Sequence, residues 1–290
     1  MGKKRGNNFG FWVFEQLIKF FGVNAGYFLL IFVTFYYLFF DLKAVQNSVP
    51  YLSRRFRDRF FFITKYYHAY RLFFSQGIAL IDRHIFLHDK NYFSIEHIGK
   101  DNFISLLEEL NSGMIMLTSH VGNWQLTIET LNLIDKKVFL IMNSEANEAV
   151  KKYLEISKSK QNIEIIVPSH DNMSGIIDII NALKKNSIVA IMGDRLYESK
   201  EQVCTKFLGD DAYFPVSPYK LAASLKIPIV EFFSYKKKNK YFIDSTNRIY
   251  PEKNNNYEKY ASQYVSCLEE FVKIRPYQAF LFYDMWKDLE

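Results

Sequence analysis

The stretch Gly113 to Leu133, GMIMLTSHVGNWQLTIETLNL, decides how the chain is read. Met114 to Leu117 are a short apolar run of the kind that makes a buried strand, and Thr118, Ser119 and His120 lead from it into a tight Val121-Gly122-Asn123 turn. From Trp124 the apolar positions Trp124, Ile128 and Leu131 recur at helical spacing. His120 is therefore expected at the mouth between the carboxyl end of a strand and the start of a helix, where open α/β sheets hold their ligands. An imidazole ionises close to neutrality, so a histidine there can take a proton from a hydroxyl and return it to a leaving group. Such a base needs an orienting partner, and a helix beginning near Asn123 can direct Gln125 back over the loop with its amide oxygen on one ring nitrogen. On residue type alone, capping a helix or filling a polar gap is the commoner role for a histidine.

Outward from this stretch the pattern alternates. Asp101 to Leu110 reads as a helix, and Val138 to Met142, Ile163 to Val167 and Ile188 to Met192 read as further strands with helical segments between them. That is a βαβ series, hence an α/β fold with a mostly parallel sheet flanked by helices. Directly after the Ile188 to Met192 run come Gly193, Asp194 and Arg195, at a second strand mouth that lies beside the first if the two strands are neighbours. A surface turn with a local ion pair fits the same residues. The closing helix spans roughly Tyr257 to Ile274 and stops before Pro276.

The first hundred residues differ in kind. No charge occurs from Phe20 to Phe40, a run long enough to span a bilayer. Its interruption by Gly22, Asn24 and Gly26 and its wealth of Phe and Tyr suit a tilted or interfacial helix equally, so both remain open. Ser53 to Phe62 interleaves arginines with phenylalanines and is expected to begin a helix continuing towards Ile85. Across all 290 residues the net charge is +6, the pI is about 9.0 and aromatic residues make up 18%. This balance favours anionic membrane lipid or an acidic carrier protein as partner; no nucleic-acid motif occurs, so nucleic acid is not expected. Cys204 and Cys267 stand far apart, which indicates neither a disulfide framework nor a zinc site. His68, His84, His88 and His97 are read as structural or exposed, and no metal is expected. Lys236 to Lys240 reads as a solvated hairpin tip.

Ser119-His120-Val121-Gly122-Asn123-Trp124-Gln125 resembles the active-site block of the lipid A late acyltransferases, in which a histidine is followed, after four intervening residues, by Glu or Asp to make the catalytic dyad. This chain has Gln125 at the dyad's second position. The Gly193-Asp194-Arg195 block lies where that family brings acidic and basic residues to the site, and it has a weak likeness to the Asp-Arg block of glycerolipid acyltransferases, whose arginine meets acceptor phosphate. Phe207 to Pro218 resembles further family blocks, with Ser217 in place of a usual glycine, and is expected to shape a loop over the acyl channel. Pro276 to Trp286 resembles the aromatic tail of a bacterial subgroup that includes homologues encoded with aryl polyene and flexirubin pigment genes.

The resemblance implies a glycerolipid acyltransferase-like domain over residues 99–290 behind an N-terminal membrane-associated helical region over 1–98. It implies an O-acyltransferase on the cytoplasmic face of a bacterial inner membrane, with acyl carrier protein thioester as donor, a lipid-like acceptor and no cofactor. Two alternatives remain: an acceptor of the polyene or another lipid kind, or a catalytically silent relative that binds lipid or carrier. His120 is the expected base, with Gln125 to orient it; Asn123, Gly193 and Arg195 are the expected substrate contacts. Asp194, if it lies within hydrogen-bond reach of the His120 ring, would supply the charge that Gln125 lacks.

Overall fold

The structure is a computed structural model that describes residues 8–59, 61–124, 126, 136–142, 162–166, 174–196, 201–252 and 256–288. The chain opens with helices α1 (Asn8–Phe21), α2 (Val23–Phe40), α3 (Leu42–Arg55) and α4 (Phe62–His88). Then follow β1 (Ser94–Ile98), α5 (Lys100–Glu109), β2 (Met114–Thr118), β3 (Val138–Ile141), β4 (Ile163–Ile166), α6 (Ser174–Lys184) and β5 (Ile188–Met192). The remainder is β6 (Gln202–Phe207), β7 (Asp210–Pro215), α7 (Ser217–Leu225), β8 (Ile229–Lys237), β9 (Lys240–Asp244), β10 (Arg248–Ile249) and α8 (Tyr257–Ile274).

The main sheet runs β1-β9-β8-β2-β5-β3-β4, with β10 on β8. β8 meets β9 and β10 antiparallel, and the other neighbours are parallel. β2 sits centrally and is buried along its whole length, because both faces of the sheet are covered; this is why its sequence is an unbroken apolar run and not an alternation. On one face Met114, Met116, Val230 and Phe232 pack with Phe103, Leu106 and Leu107 of α5. On the other, Ile115, Leu117 and Val189 pack with Leu183 of α6, Ala222 of α7 and Tyr264 and Leu268 of α8.

Several expectations need correction. The Arg-Phe block does not run on into one helix. α3 ends at Arg55, a 3₁₀ turn covers Arg57–Arg59, and α4 begins afresh where Thr64 Oγ1 accepts from the Phe61 backbone N–H and donates to the Arg59 carbonyl, each at 2.7 Å. Three arginines of this block are tied to the body of the protein: Arg54 and Arg57 bind Asp210 at 2.8 and 2.7 Å, and Arg55 donates to the Val272 and Lys273 carbonyls at the end of α8. Phe207 to Pro215, expected as a loop, belongs to the β6/β7 hairpin, whose Leu208-Gly209 turn has positive φ at both residues as such two-residue turns require. Its Phe207 and Phe214 are fully buried. Strand β1 was not expected; Ser94-Ile95-Glu96-His97-Ile98 lacks a strong apolar signal and owes its state to pairing with β9.

Glu231 lies in β8 opposite Leu117, nearly without exposure. Burial pushes its carboxyl up to about 7, the Cys267 hydrogen bond opposing the rise and the Asp244 charge adding to it. A carboxyl raised in this way keeps a proton in the folded state that the unfolded chain has already released, so its contribution to stability falls as pH rises from about 4.3 through about 7. Glu231→Gln removes that penalty. It is expected to raise the melting temperature by about 5 °C at alkaline pH and to have almost no effect at acid pH. Melting curves of the two proteins across pH check this, and an equal shift at all pH values would exclude ionisation as the cause.

Candidate active site

β2 and β5 are parallel neighbours in a register that sets Thr118 opposite Met192. His120 and Asp194 each lie two residues beyond that pair, and there they meet. His120 Nδ1 is 2.9 Å from Asp194 Oδ2 and 3.2 Å from Oδ1, and the His120 backbone N–H donates to Oδ2 at 3.2 Å. The Gly193 N–H donates to the Thr118 carbonyl at 2.8 Å, carrying the ladder one step past the strands. Asp194 is 0% exposed, whereas the His120 side chain keeps 29% of its surface. A carboxylate only accepts, so Nδ1 is assigned the proton and Nε2 carries the free lone pair. Among the described residues Nε2 has no hydrogen-bond partner, so the pair offers one ring nitrogen with a buried acid behind it.

The loop carrying His120 is held from three sides. Towards α4, Asn123 Nδ2 donates to the Ala79 carbonyl at 3.0 Å. Towards β8, the Asn123 N–H donates to Ser234 Oγ at 3.0 Å, and that hydroxyl donates to the Val121 carbonyl at 3.3 Å. Towards the C-terminal tail, the Gly122 N–H donates to the Gln278 carbonyl at 2.7 Å and the Phe280 N–H to the His120 carbonyl at 2.8 Å, around a bridge between Val121 and Ala279. Gly122 has φ of +55°, and any side chain there would overlap the Ser234 carbonyl, so the turn needs glycine on both counts.

Beneath the pair stands Tyr264, fully buried on α8. Its hydroxyl donates to the Thr118 carbonyl at 3.2 Å and accepts from Ser119 Oγ. Burial, reinforced by the Asp194 charge, lifts its ionisation well above that of an ordinary tyrosine, so it acts here as a fixed neutral donor.

The other expected site residues separate by position. Gly193 is needed for packing, since a Cβ there would lie 2.8 Å from Tyr264 Cζ. Asn123 is almost fully buried and committed to Ala79, so it secures the loop where substrate contact was expected. Arg195 is exposed at the mouth, its guanidinium 5.7 Å from the centre of the Tyr283 ring. Gln125 lies outside the described residues.

A cavity of about 310 Å³ adjoins the loop, lined among others by Tyr27, Ala79, Gly122, Lys236, Gln278 and Phe280. Lys236, expected in a solvated hairpin tip, is instead mostly buried, with Nζ 2.5 Å from Asp82 Oδ2 and 2.9 Å from Tyr27 Oη. Tyr241 donates to the same carboxylate. Ser234, Tyr264 and Gln278 carried no sequence signal of their own, and the lysine run hid the one buried member within it.

No curated protein matches the sequence significantly. Among solved structures, the 1-acyl-sn-glycerophosphate (LPA) acyltransferase PlsC of Thermotoga maritima aligns over 85% of this chain and 95% of its own at 13% identity, with a TM-score of 0.39. The family profile of the bacterial lipid A biosynthesis acyltransferases matches residues 63–288, from the start of α4 to the tail that holds the His120 loop, and so includes His120, Asp194 and the residues that position them. The chain belongs to the bacterial lipid A biosynthesis acyltransferase family.

Proposed function

We propose that this acyltransferase moves a fatty acyl chain from an acyl carrier protein thioester to a hydroxyl of a lipid A-type or other amphiphilic acceptor, at the cytoplasmic face of a bacterial inner membrane. The observation that supports it is the His120–Asp194 pair at the strand mouth. Nε2 of His120 takes the proton of the acceptor hydroxyl as its oxygen attacks the thioester carbonyl. Collapse of the tetrahedral intermediate expels the carrier thiolate, and the imidazolium returns the proton to it, so an ester and a free thiol result. No covalent acyl-enzyme is needed. Asp194 fixes the ring and stabilises the imidazolium that forms between the two transfers. In this reading Arg195, exposed and next in the chain to Asp194, meets an anionic acceptor group or the developing oxyanion. Gln125 is a neutral amide and supplies no charge to the base.

His120→Ala is expected to lower acyl transfer by about 10³-fold with the fold unchanged. Asp194→Asn should lower kcat strongly while changing acceptor KM little, because the lost interaction strengthens as the imidazole becomes charged. Gln125→Glu should preserve or raise activity and partly rescue Asp194→Asn. A kinetic double-mutant cycle with acyl carrier protein donor, with folding verified by circular dichroism, measures this. Near-parental Asp194→Asn would leave the amide alone to orient the base. A parent protein inactive with every carrier and acceptor would favour the silent relative. Lipid and pigment mass spectrometry after gene deletion decides between a lipid A-type and a polyene acceptor.

The membrane part of the proposal rests on α2. The helix is 18 residues long and apolar enough to cross a bilayer. Its faces differ, however: Val23, Gly26, Leu30, Thr34 and Leu38 are buried, whereas Phe28, Phe32, Phe35 and Phe39 form an exposed stripe on the other side. A helix held along one side by the protein and bearing aromatic rings on the other suits the acyl–headgroup boundary better than a crossing. Replacing Phe28, Phe32 and Phe39 together by Ser removes about 2 kcal/mol of partitioning per ring. The triple variant should leave sedimenting vesicles, while the parent stays bound in high salt; release of the parent by salt alone would show that charge, not the stripe, holds it.

A further inference from the structure

His84 and His88, expected from the sequence to be structural or exposed, are four apart on α4 and so share one helical face. Their rings lie 4.5 Å apart between centroids. Glu15, from α1, reaches the same point: a carboxylate oxygen of Glu15 and one ring nitrogen from each histidine all lie within 4.8 Å of one another. We propose that Glu15, His84 and His88 form a binding site for a borderline divalent transition metal such as Zn²⁺, and that the metal clamps α1 to α4.

The donor set selects the ion. Two imidazoles with one carboxylate are a recurrent zinc ligand set, with a fourth position left for water, whereas Ca²⁺ and Mg²⁺ prefer all-oxygen shells. Tetrahedral zinc holds its donors about 3.3 Å apart, so donors that lie within 4.8 Å of one another need to close by at most about 1.5 Å, within the reach of rotamer adjustment. One ligand is already oriented. His88 Nδ1 is 2.8 Å from the His84 carbonyl, which can only accept, so Nδ1 carries the proton and Nε2 is left as the ligand atom.

The position gives the clamp its meaning. Phe14 and Ile18 of α1 pack into an apolar cluster with Ile81 and Ile85 of α4, and the three ligands lie at the rim of that contact. α1 precedes the region matched by the family profile, whereas α4 lies inside it. A metal here would fasten the N-terminal helix to the catalytic body, independently of acyl transfer.

The test uses untagged full-length protein in detergent, with Zn²⁺ as titrant in calorimetry and Co²⁺ as an absorption probe of coordination. One site per chain with micromolar affinity is expected, together with a rise in melting temperature on adding Zn²⁺. His84→Asn with His88→Asn should abolish binding; Glu15→Gln, an exposed and conservative change, should weaken it about tenfold and remove the thermal shift. His97→Asn, outside the cluster, should leave both unchanged. No saturable Zn²⁺ binding in the micromolar range, or binding unaffected by the paired histidine changes, overturns the site. Binding and thermal shift unaffected by Glu15→Gln overturn the clamp.

Discussion

A carboxylate without solvent is the constraint on which the site depends. Asp194 has no exposed surface, and an ionised group so placed costs several kcal/mol unless donors replace its water. Two of those donors come from one residue: the Nδ1–H and the backbone N–H of His120. Their meeting is a matter of register. Because both residues lie two positions past a paired rung of β2 and β5, a slip of one residue would send them to opposite faces of the sheet. What prevents the slip lies below, in the apolar layers that grip both faces of β2. The packed core is thus the device that aligns an acid with a base.

Alignment within the plane of the sheet is not enough, since the loop beyond β2 must also be kept from moving. The C-terminal tail supplies that restraint in the manner of an added strand, trading backbone hydrogen bonds with Gly122 and His120. Gln278 goes further, its side-chain amide accepting from the Lys236 N–H at 2.8 Å and donating to the Lys236 carbonyl at 2.9 Å, as a neighbouring strand residue would. The tail therefore ties the end of β8 to the His120 loop. Its aromatic rings, which attract notice in the sequence, do less for the geometry of the base than its main chain does.

This explains what could be read beforehand. Ile188 to Met192 and Tyr257 to Ile274 were legible to the residue, because an uninterrupted apolar run and a capped amphipathic run each report local burial. The meeting of His120 with Asp194 was legible only on the condition that their strands were neighbours, and strand order is set by contacts between segments that no local pattern encodes. Charge runs misled for the same reason. Arg54, Arg55 and Arg57 look like a cationic face, yet they bind Asp210 and the end of α8, partners more than 150 residues away. Gly193 and Asn123 stood in motifs that pointed to substrate, whereas their burial shows what the motif needs of them: room for Tyr264 and an anchor to Ala79. The likeness of a block to a family identifies where a site is; the division of its residues between chemistry and support has to come from packing.

Among the described residues, Asp82 and Asp194 are both fully buried and show how the same cost is met for different ends. Asp82 faces the Lys236 amine and accepts from two tyrosines, a fixed arrangement that ties β8 to α4. Asp194 faces an imidazole. In the proposed reaction that ring is neutral until the acceptor hydroxyl gives up its proton, and only then does the carboxylate meet a full opposite charge. The burial that makes the resting site costly makes the charged intermediate more favourable, because Coulomb attraction at 2.9 Å is far stronger out of water than in it. An interaction that grows in this way lowers the barrier and does not merely tighten binding. A glutamine at position 125 carries no charge and could not provide that growth, so in the proposed reaction it is the acid contributed by the neighbouring strand that supplies it.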